Sequence, residues 1–323
     1  MIEVNKVETV SELEKVTNCP WCKSANLKYL VDSQDLLLAV SEQVFQYCKC
    51  NDCGSLFQSL RPKDSFIGKY YSSSYQPHVK QNNNKKSMNS KINTFLGNGR
   101  ATFVENVYKS KKLGKFLDFG CGAGTYLKKM QKKGWQVTGV DFSDQLLHGL
   151  RKDGFVVYNV NDKEWLQQNA GGFDLIRMNH VIEHLYNPVD HLRTLSGLLT
   201  EGGVLHIACP NSDSVFFKVF GNSWFPLDAP RHIQLPPSGV VISCLEQMGL
   251  NSPQVYFDSD PKDVLRSLGY WLSKRFSFSS TEIINWPGRM GLGCLLLWPM
   301  AFLSSIFKSS DRYDLFLHKG IKK

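Results

Sequence analysis

Between residues 115 and 210, apolar runs of strand length alternate with helical stretches, and this alternation constrains the fold more than any other feature. The runs are "KFLDFG", "WQVTGV", "FVVYNV", "FDLIRMN" and "GGVLHIACP", with helices expected near 124–133, 143–152, 163–169 and 188–200. Strands this apolar belong to a parallel sheet covered on both faces. Right-handed crossovers then give a doubly wound α/β fold. Beyond Pro210 an irregular stretch runs to about 235, followed by a helix near 237–249 and strands "QVYFD" and "RYDLFLHKG". A hydrophobic content of 42% is enough for a large core and argues against wholesale disorder.

The first of these strands opens into a glycine turn, Asp118-Phe-Gly120-Cys-Gly122-Ala-Gly124, before a helix. It departs from the G-x-G-x-x-G of dinucleotide binders, because Thr125 stands in the third glycine's place. Gly120 and Gly122 permit close backbone approach, and Gly124 lets the helix pack near the strand. Asp118 would repel a diphosphate and attract an amine. S-adenosylmethionine fits: it has no phosphate, and it carries an ammonium and a sulfonium beside a carboxylate that a helix N-terminus can receive. Asp141, at the end of the next strand, stands where an acidic side chain meets ribose hydroxyls in such folds.

On these motifs the sequence resembles the class I S-adenosylmethionine-dependent methyltransferases over roughly residues 92–318. The resemblance implies a Rossmann-like, mostly parallel seven-stranded sheet. It makes Asp162 a candidate contact for adenine, although a helix N-cap serves that residue equally well. It places Asn179 and His180, in "FDLIRMNHVIEHLYNP", beside the cofactor's methionine part. Glu183 and His184 follow as braces of that loop. The i, i+3, i+4 spacing of His180, Glu183 and His184 also admits a metal reading.

The segment "CPNSDSVFFKVFGNSWFPLDAPRHIQLPP" is too long and aromatic for a passive connection and is expected to be a substrate lid over 211–236. It resembles a segment of bacterial methyltransferases associated with cell-surface polysaccharide and sugar pathways. That resemblance makes Trp224 a stacking surface for a sugar ring and Arg231 a bidentate contact for a phosphate or carboxylate. The alternative is that Trp224 packs the lid and Arg231 makes a structural ion pair. His232 is the preferred catalytic base, as it sits on a substrate-side element, and His180 is the second candidate.

Upstream, "CPWC" and "CNDC" are two C-x-x-C knuckles, able to place Cys19, Cys22, Cys50 and Cys53 around a structural Zn²⁺. Cys48 competes with Cys50 for the fourth position. The expected organisation is a zinc-ribbon-like four-cysteine module over 1–75, a linker and leading helix over 76–111, and the cofactor-binding domain over 112–323. The ribbon also resembles the amino-terminal part of the polysaccharide-associated enzymes. The acceptor expected from these resemblances is a sugar, a glycolipid-linked group or another small molecule.

Near the end, "MGLGCLLLWPMAFLSSIF" has 18 residues without charge. Pro299, and a strand that must return to the sheet, favour a helical hairpin over 286–308 rather than a span. The hairpin either lines the pocket or makes peripheral membrane contact, which the net charge of +9 would favour on anionic lipid. The polar start lacks a secretory signal, so a cytoplasmic location is expected, at the inner face of the membrane if the hairpin touches lipid. Two other readings use the same residues. An RNA or DNA methyltransferase would draw on ribbon and charge. However, "RMNHVIEH" lacks the Asn-Pro-Pro-aromatic motif, and the ribbon shows no basic-aromatic platform, so nucleic acid is not an expected partner. A non-catalytic, zinc-stabilised interaction protein would retain the fold alone.

Overall fold

The computed structural model describes residues 11–71, 104–108, 113–162, 164–276, 297 and 299–321. Its larger sheet is built from β5 (Lys115–Phe119), β6 (Gln136–Asp141), β7 (Val156–Asn159), β8 (Phe173–Asn179), β9 (Leu199–Pro210), β11 (Leu250–Asp258) and β12 (Arg312–Lys319). These seven strands lie in the order β11-β12-β9-β8-β5-β6-β7. β12 runs antiparallel to both β9 and β11, while β5 to β9 pair in parallel. The doubly wound architecture expected from the apolar runs is therefore present.

Helices α1 (Thr125–Lys132), α2 (Asp144–Lys152), α3 (Glu164–Gln168) and α4 (Pro188–Leu198) follow the parallel strands. Ser143 caps α2 by accepting from the Leu146 N–H, and Pro188 begins α4, where its missing N–H costs nothing. The 211–236 segment, expected as a lid and called so below, carries α5 (Val215–Phe220), and α6 (Ser238–Glu246) follows it. A 16-residue helix, α7 (Pro261–Phe276), lies beyond the elements expected from the sequence. Its start is marked by Asp260, whose carboxylate accepts from the Lys262 N–H.

The smaller sheet contains β1 (Leu13–Lys15), β2 (Leu27–Ser33), β3 (Phe45–Cys50) and β4 (Leu56–Pro62), in the order β1-β4-β3-β2. Its fifth strand comes from the lid: β10 (Gln234–Leu235) pairs antiparallel with Leu56 and Phe57 of β4. The core is shared as well. Phe45, Tyr47 and Leu56 pack in one cluster with Phe216, Trp224 and Leu227. The cysteine module and the lid thus fold as one body, with the lid supplying a strand to the module.

Most of the expected 76–111 linker and leading helix lies outside the described residues, although 104–108 are helical. The first half of the expected 286–308 hairpin also lies outside them, and residues 299–306 are helical. Among the described residues, no helix is long and apolar enough to cross a membrane.

Candidate active site

β5 ends at the glycine turn, where Gly120, Gly122 and Gly124 have φ of +81°, +51° and +72°. The N–H groups of Gly120 and Cys121 both donate to the carbonyl of Val140, at 2.8 and 3.0 Å, which folds the turn over the tip of β6. A Cβ on Gly120 would stand 2.2 Å from Val181 Cγ2, and one on Gly124 would stand 2.3 Å from Leu150 Cδ2. Positive φ and close approach together require glycine at both places.

Asp141 closes β6 and ties the turn to it. Its Oδ2 accepts from the Gly122 N–H at 2.8 Å and its Oδ1 from the Ser143 N–H at 3.0 Å. Asp118 is 1% exposed. Its Oδ1 lies 2.8 Å from Arg177 Nη1, whereas Oδ2 has no hydrogen-bond partner. Burial raises the Asp118 pKa, and Arg177 opposes that rise. A buried carboxylate oxygen without a partner, beside a turn of glycines with positive φ, fits a phosphate-free cofactor bearing an ammonium. It does not fit a diphosphate. Asn179 ends β8 half-buried beside this turn, and Asp162 is exposed just before α3.

The loop after β8 brings the titratable groups together. His180 has φ +54° and is anchored by its N–H on the Ala208 carbonyl at 2.9 Å. Its side chain is 39% exposed, and Nδ1 lies 3.1 Å from Glu183 Oε1. Glu183 is fully buried and its Oε2 has no partner. Burial alone would push this carboxyl up, but the His180 bond and the neighbouring imidazoles outweigh it and hold the pKa at about 2. His184 Nδ1 is 2.8 Å from the Arg231 carbonyl and 3.0 Å from Tyr71 Oη. Burial and the nearby His232 push the His184 pKa down to about 4.

His232 comes from the lid. Its Nδ1 is 2.7 Å from the Pro226 carbonyl, and its Nε2 lies 4.0 Å from Glu183 Oε1 and 3.9 Å from Asp228 Oδ2. Both candidate bases therefore face one carboxylate, with Glu183 between them. The sequence gives Glu183 two readings, a brace of the loop and a member of a metal group with His180 and His184. It does brace the loop, since its carbonyl accepts from the Ile233 N–H, while Gln234 Nε2 donates to the carbonyls of Ile182 and Leu185.

For Arg231 and Trp224 the ligand-contact expectation is corrected, and the alternative of a structural ion pair and a packing role holds. Arg231 is fully buried, with Nη2 2.7 Å from Asp35 Oδ1 and 2.6 Å from Asp228 Oδ1, and with Nη1 donating to the Tyr70 carbonyl. Its guanidinium is spent on holding the lid, so it presents no fork to an acceptor's anion. Trp224 is 1% exposed, packs on Phe217 and donates from Nε1 to Asp311 Oδ1 at 2.6 Å. No indole face is open for a sugar ring. Asp35, Asp228 and Asp311, which hold these two side chains, carried no local signal in the sequence.

At the other end of the small sheet, the sulfurs of Cys19 and Cys53 lie 3.6 Å apart and those of Cys22 and Cys50 3.5 Å apart. Four thiolates at the corners of a zinc tetrahedron stand ~3.8 Å apart, so the donor set suits that ion. The four converging sulfurs are those of Cys19, Cys22, Cys50 and Cys53; Cys48 is not among them.

A family model described as a methyltransferase domain matches residues 88–254. Similar curated proteins include the ubiquinone biosynthesis O-methyltransferase of Xanthomonas oryzae pv. oryzae (strain PXO99A), 33% identical over 111 residues, which is 32% of this chain and 46% of that protein. The protein of the same description from Caulobacter sp. (strain K31) is 32% identical over 121 residues, covering 36% of this chain and 45% of the relative. The chain thus spans just under half the length of the curated relatives it matches. Among solved structures, a SAM-dependent methyltransferase from Archaeoglobus fulgidus aligns with 72% of this chain and 100% of its own, at 17% identity and a TM-score of 0.47. With a matched region covering more than half the sequence, and a seven-stranded sheet opening at a glycine turn, the chain belongs to the methyltransferase-domain family.

Proposed function

We propose that the protein transfers a methyl group from S-adenosylmethionine to a hydroxyl of a small-molecule acceptor, in the first instance a sugar or glycolipid-linked group of cell-surface polysaccharide biosynthesis. The observation that carries the cofactor assignment is the partnerless Asp118 Oδ2 beside the Gly120–Gly124 turn. In this reading Asp118 takes the cofactor's ammonium, Asp141 the ribose, and the backbone of Gly120, Gly122 and Gly124 lies against the nucleoside. Asn179 borders the methionine part and Asp162 the adenine. When bound, the cofactor supplies a methyl group on a sulfonium, already an excellent leaving group. The protein's share is alignment and management of one proton.

His180 suits that proton best. It is the more exposed of the two candidate bases, and it rests against a carboxylate held ionised. With Nδ1–H donated to Glu183, the Nε2 lone pair accepts the acceptor's hydroxyl proton, and Glu183 stabilises the imidazolium that forms. His232, more enclosed, shapes the far side of the same carboxylate.

O-methylation is supported by the names of the relatives, which also favour a second reading: a phenolic acceptor of the kind a quinone pathway uses. Four zinc-bound thiolates at Cys19, Cys22, Cys50 and Cys53 would secure the β3–β4 turn beneath the lid. Peripheral contact with an anionic membrane surface is supported by the last helix and the turn after it, where Phe302, Leu303, Ile306 and Phe307 are each more than half exposed and Lys308 adjoins them. The deciding experiment incubates the protein with methyl-labelled cofactor and separates glycan, lipid, quinone-precursor and RNA fractions. Label in the glycan or glycolipid fraction supports the first acceptor, and label in the phenolic fraction the second. Label confined to RNA refutes both.

A further inference from the structure

Glu183, His184 and His232 meet where β8 and the lid close on each other, and their ligating atoms all lie within 4.8 Å of one another. The two imidazoles are prepared alike. His184 Nδ1 is 2.8 Å from the Arg231 carbonyl, and His232 Nδ1 is 2.7 Å from the Pro226 carbonyl. A carbonyl oxygen only accepts, so each Nδ1 carries the proton and each Nε2 is left with its lone pair. Fixing the ring by an N–H bond from one nitrogen to a backbone carbonyl is the usual support for a histidine whose other nitrogen binds a metal.

The carboxylate completes the set. Glu183 Oε1 is engaged by His180, while Oε2 is buried without a partner. Arg231 is committed to Asp228 and Asp35, so Glu183 draws no charge from that guanidinium. A buried carboxylate with an unpartnered oxygen is costly unless a cation meets it.

We propose that Glu183, His184 and His232 form a mononuclear site for a divalent transition-metal ion, separate from the four cysteines. Two imidazoles and one carboxylate suit zinc, manganese, iron or cobalt in the divalent state and leave further coordination positions open. Ligands on a tetrahedral ion with bonds near 2.1 Å stand ~3.4 Å apart. The ligating atoms, all within 4.8 Å of one another, therefore close on an ion by a small inward movement of side chains. One ligand sits on the lid and two on the β8 loop, so the ion would pin the lid to the cofactor-bearing sheet. This inference does not depend on the methyl-transfer reading, because its readout is ion binding.

The test titrates Mn²⁺ into the full-length protein and follows loss of the six-line resonance of aqueous manganese. Manganese prefers nitrogen and oxygen donors and leaves the cysteine cluster alone. The expected result is one saturable ion per chain, with affinity weakened at least tenfold by Glu183→Gln and by His232→Asn, and unchanged by Asp190→Asn on the exposed face of α4. Thermal melts establish that each variant is folded; should Glu183→Gln fail there, His232→Asn decides. Absence of saturable binding in the wild type, for both Mn²⁺ and Co²⁺, overturns the proposal. So does equal affinity in wild type and His232→Asn.

Discussion

Arg177 Nη1 lies 2.8 Å from Asp118 Oδ1, and the two residues face each other in register on the parallel strands β8 and β5. The guanidinium also lies over the Tyr126 ring, 3.9 Å from its centroid. A carboxylate that would otherwise be buried alone at the cofactor turn is thereby half satisfied, leaving one oxygen for a ligand. Replacing Arg177 by Met should destabilise the fold by about 3 kcal/mol, because the Asp118 charge is left unpaired. Asp118→Asn in that background should recover much of the loss while still binding cofactor at least tenfold more weakly. Urea unfolding of the two single variants and the double variant, with calorimetry of cofactor binding, checks both statements. Strict additivity of the two stability losses would refute the pairing.

Asp141 accepts hydrogen bonds from the Gly122 and Ser143 N–H groups, so its carboxylate already shapes the turn. Asp141→Ala removes both bonds and the proposed ribose contact. Cofactor affinity should fall below detection by calorimetry. Asp141→Asn keeps an acceptor for only one of the two N–H groups and should bind cofactor at least tenfold more weakly. If Asp141→Ala binds cofactor as wild type does, the ribose assignment is wrong.

The core of this fold was legible because its strands are buried on both faces, and such runs stand out as continuous apolar stretches around Leu117, Val140 and Ile176. The glycine turn was legible for a similar reason, since Gly120 and Gly124 occupy conformations few other residues accept. Helix α7 is a weaker signal, although Asp260 and Pro261 mark its start and Val264, Ser267 and Tyr270 repeat on one face. The uncharged run that follows it masks this amphipathic pattern. For Trp224 and Arg231 the sequence offered both a ligand contact and a packing or ion-pair role, and could not choose between them. An aromatic and a cation look the same in sequence whether they meet a ligand or a buried acid. Asp311 is 87 residues from Trp224, and Arg231 divides its guanidinium between Asp228, three residues away, and Asp35, 196 residues away. Strand β10 is two residues long and exists only because Leu56 and Phe57 offer an edge.

The same β10–β4 pairing makes a metal prediction. Cys50 ends β3, its carbonyl accepts from the Gly54 N–H in the turn that leads into β4, and β4 holds the lid strand. Zinc content, measured by mass spectrometry on the purified protein, should fall by one equivalent, that of the four thiolates, in Cys19→Ser. Because the module shares its core with the lid, the loss should lower the melting temperature of the whole chain, not of a separate transition. Two resolved transitions, with the larger unmoved, would show that module and lid are independent.

Asp311 supplies a pH dependence with a definite sign. It is 2% exposed at the start of the last strand, with Oδ1 accepting from Ser214 Oγ at 2.7 Å and from Trp224 Nε1, and with Oδ2 unpartnered. Burial raises its pKa from the ordinary 3.8 to about 7; the bonds from Ser214 and Trp224 and the charge of Arg312 oppose the rise, and Asp263 adds to it. A carboxyl raised in the folded state binds its proton more tightly there than in the unfolded chain. Its contribution to stability is complete below about 4 and is lost as pH climbs through about 7. Asp311→Asn keeps an oxygen for Ser214 and Trp224 and removes the titration. Relative to wild type, this variant should therefore gain stability between pH 5 and pH 8, by on the order of 3 kcal/mol. Urea midpoints of both proteins at these two pH values decide the matter, and the difference between them cancels groups such as His184 that titrate in the opposite sense. A difference that stays constant with pH would mean that Asp311 is already ionised in the folded protein throughout this range, and that the lid is held by a charged latch.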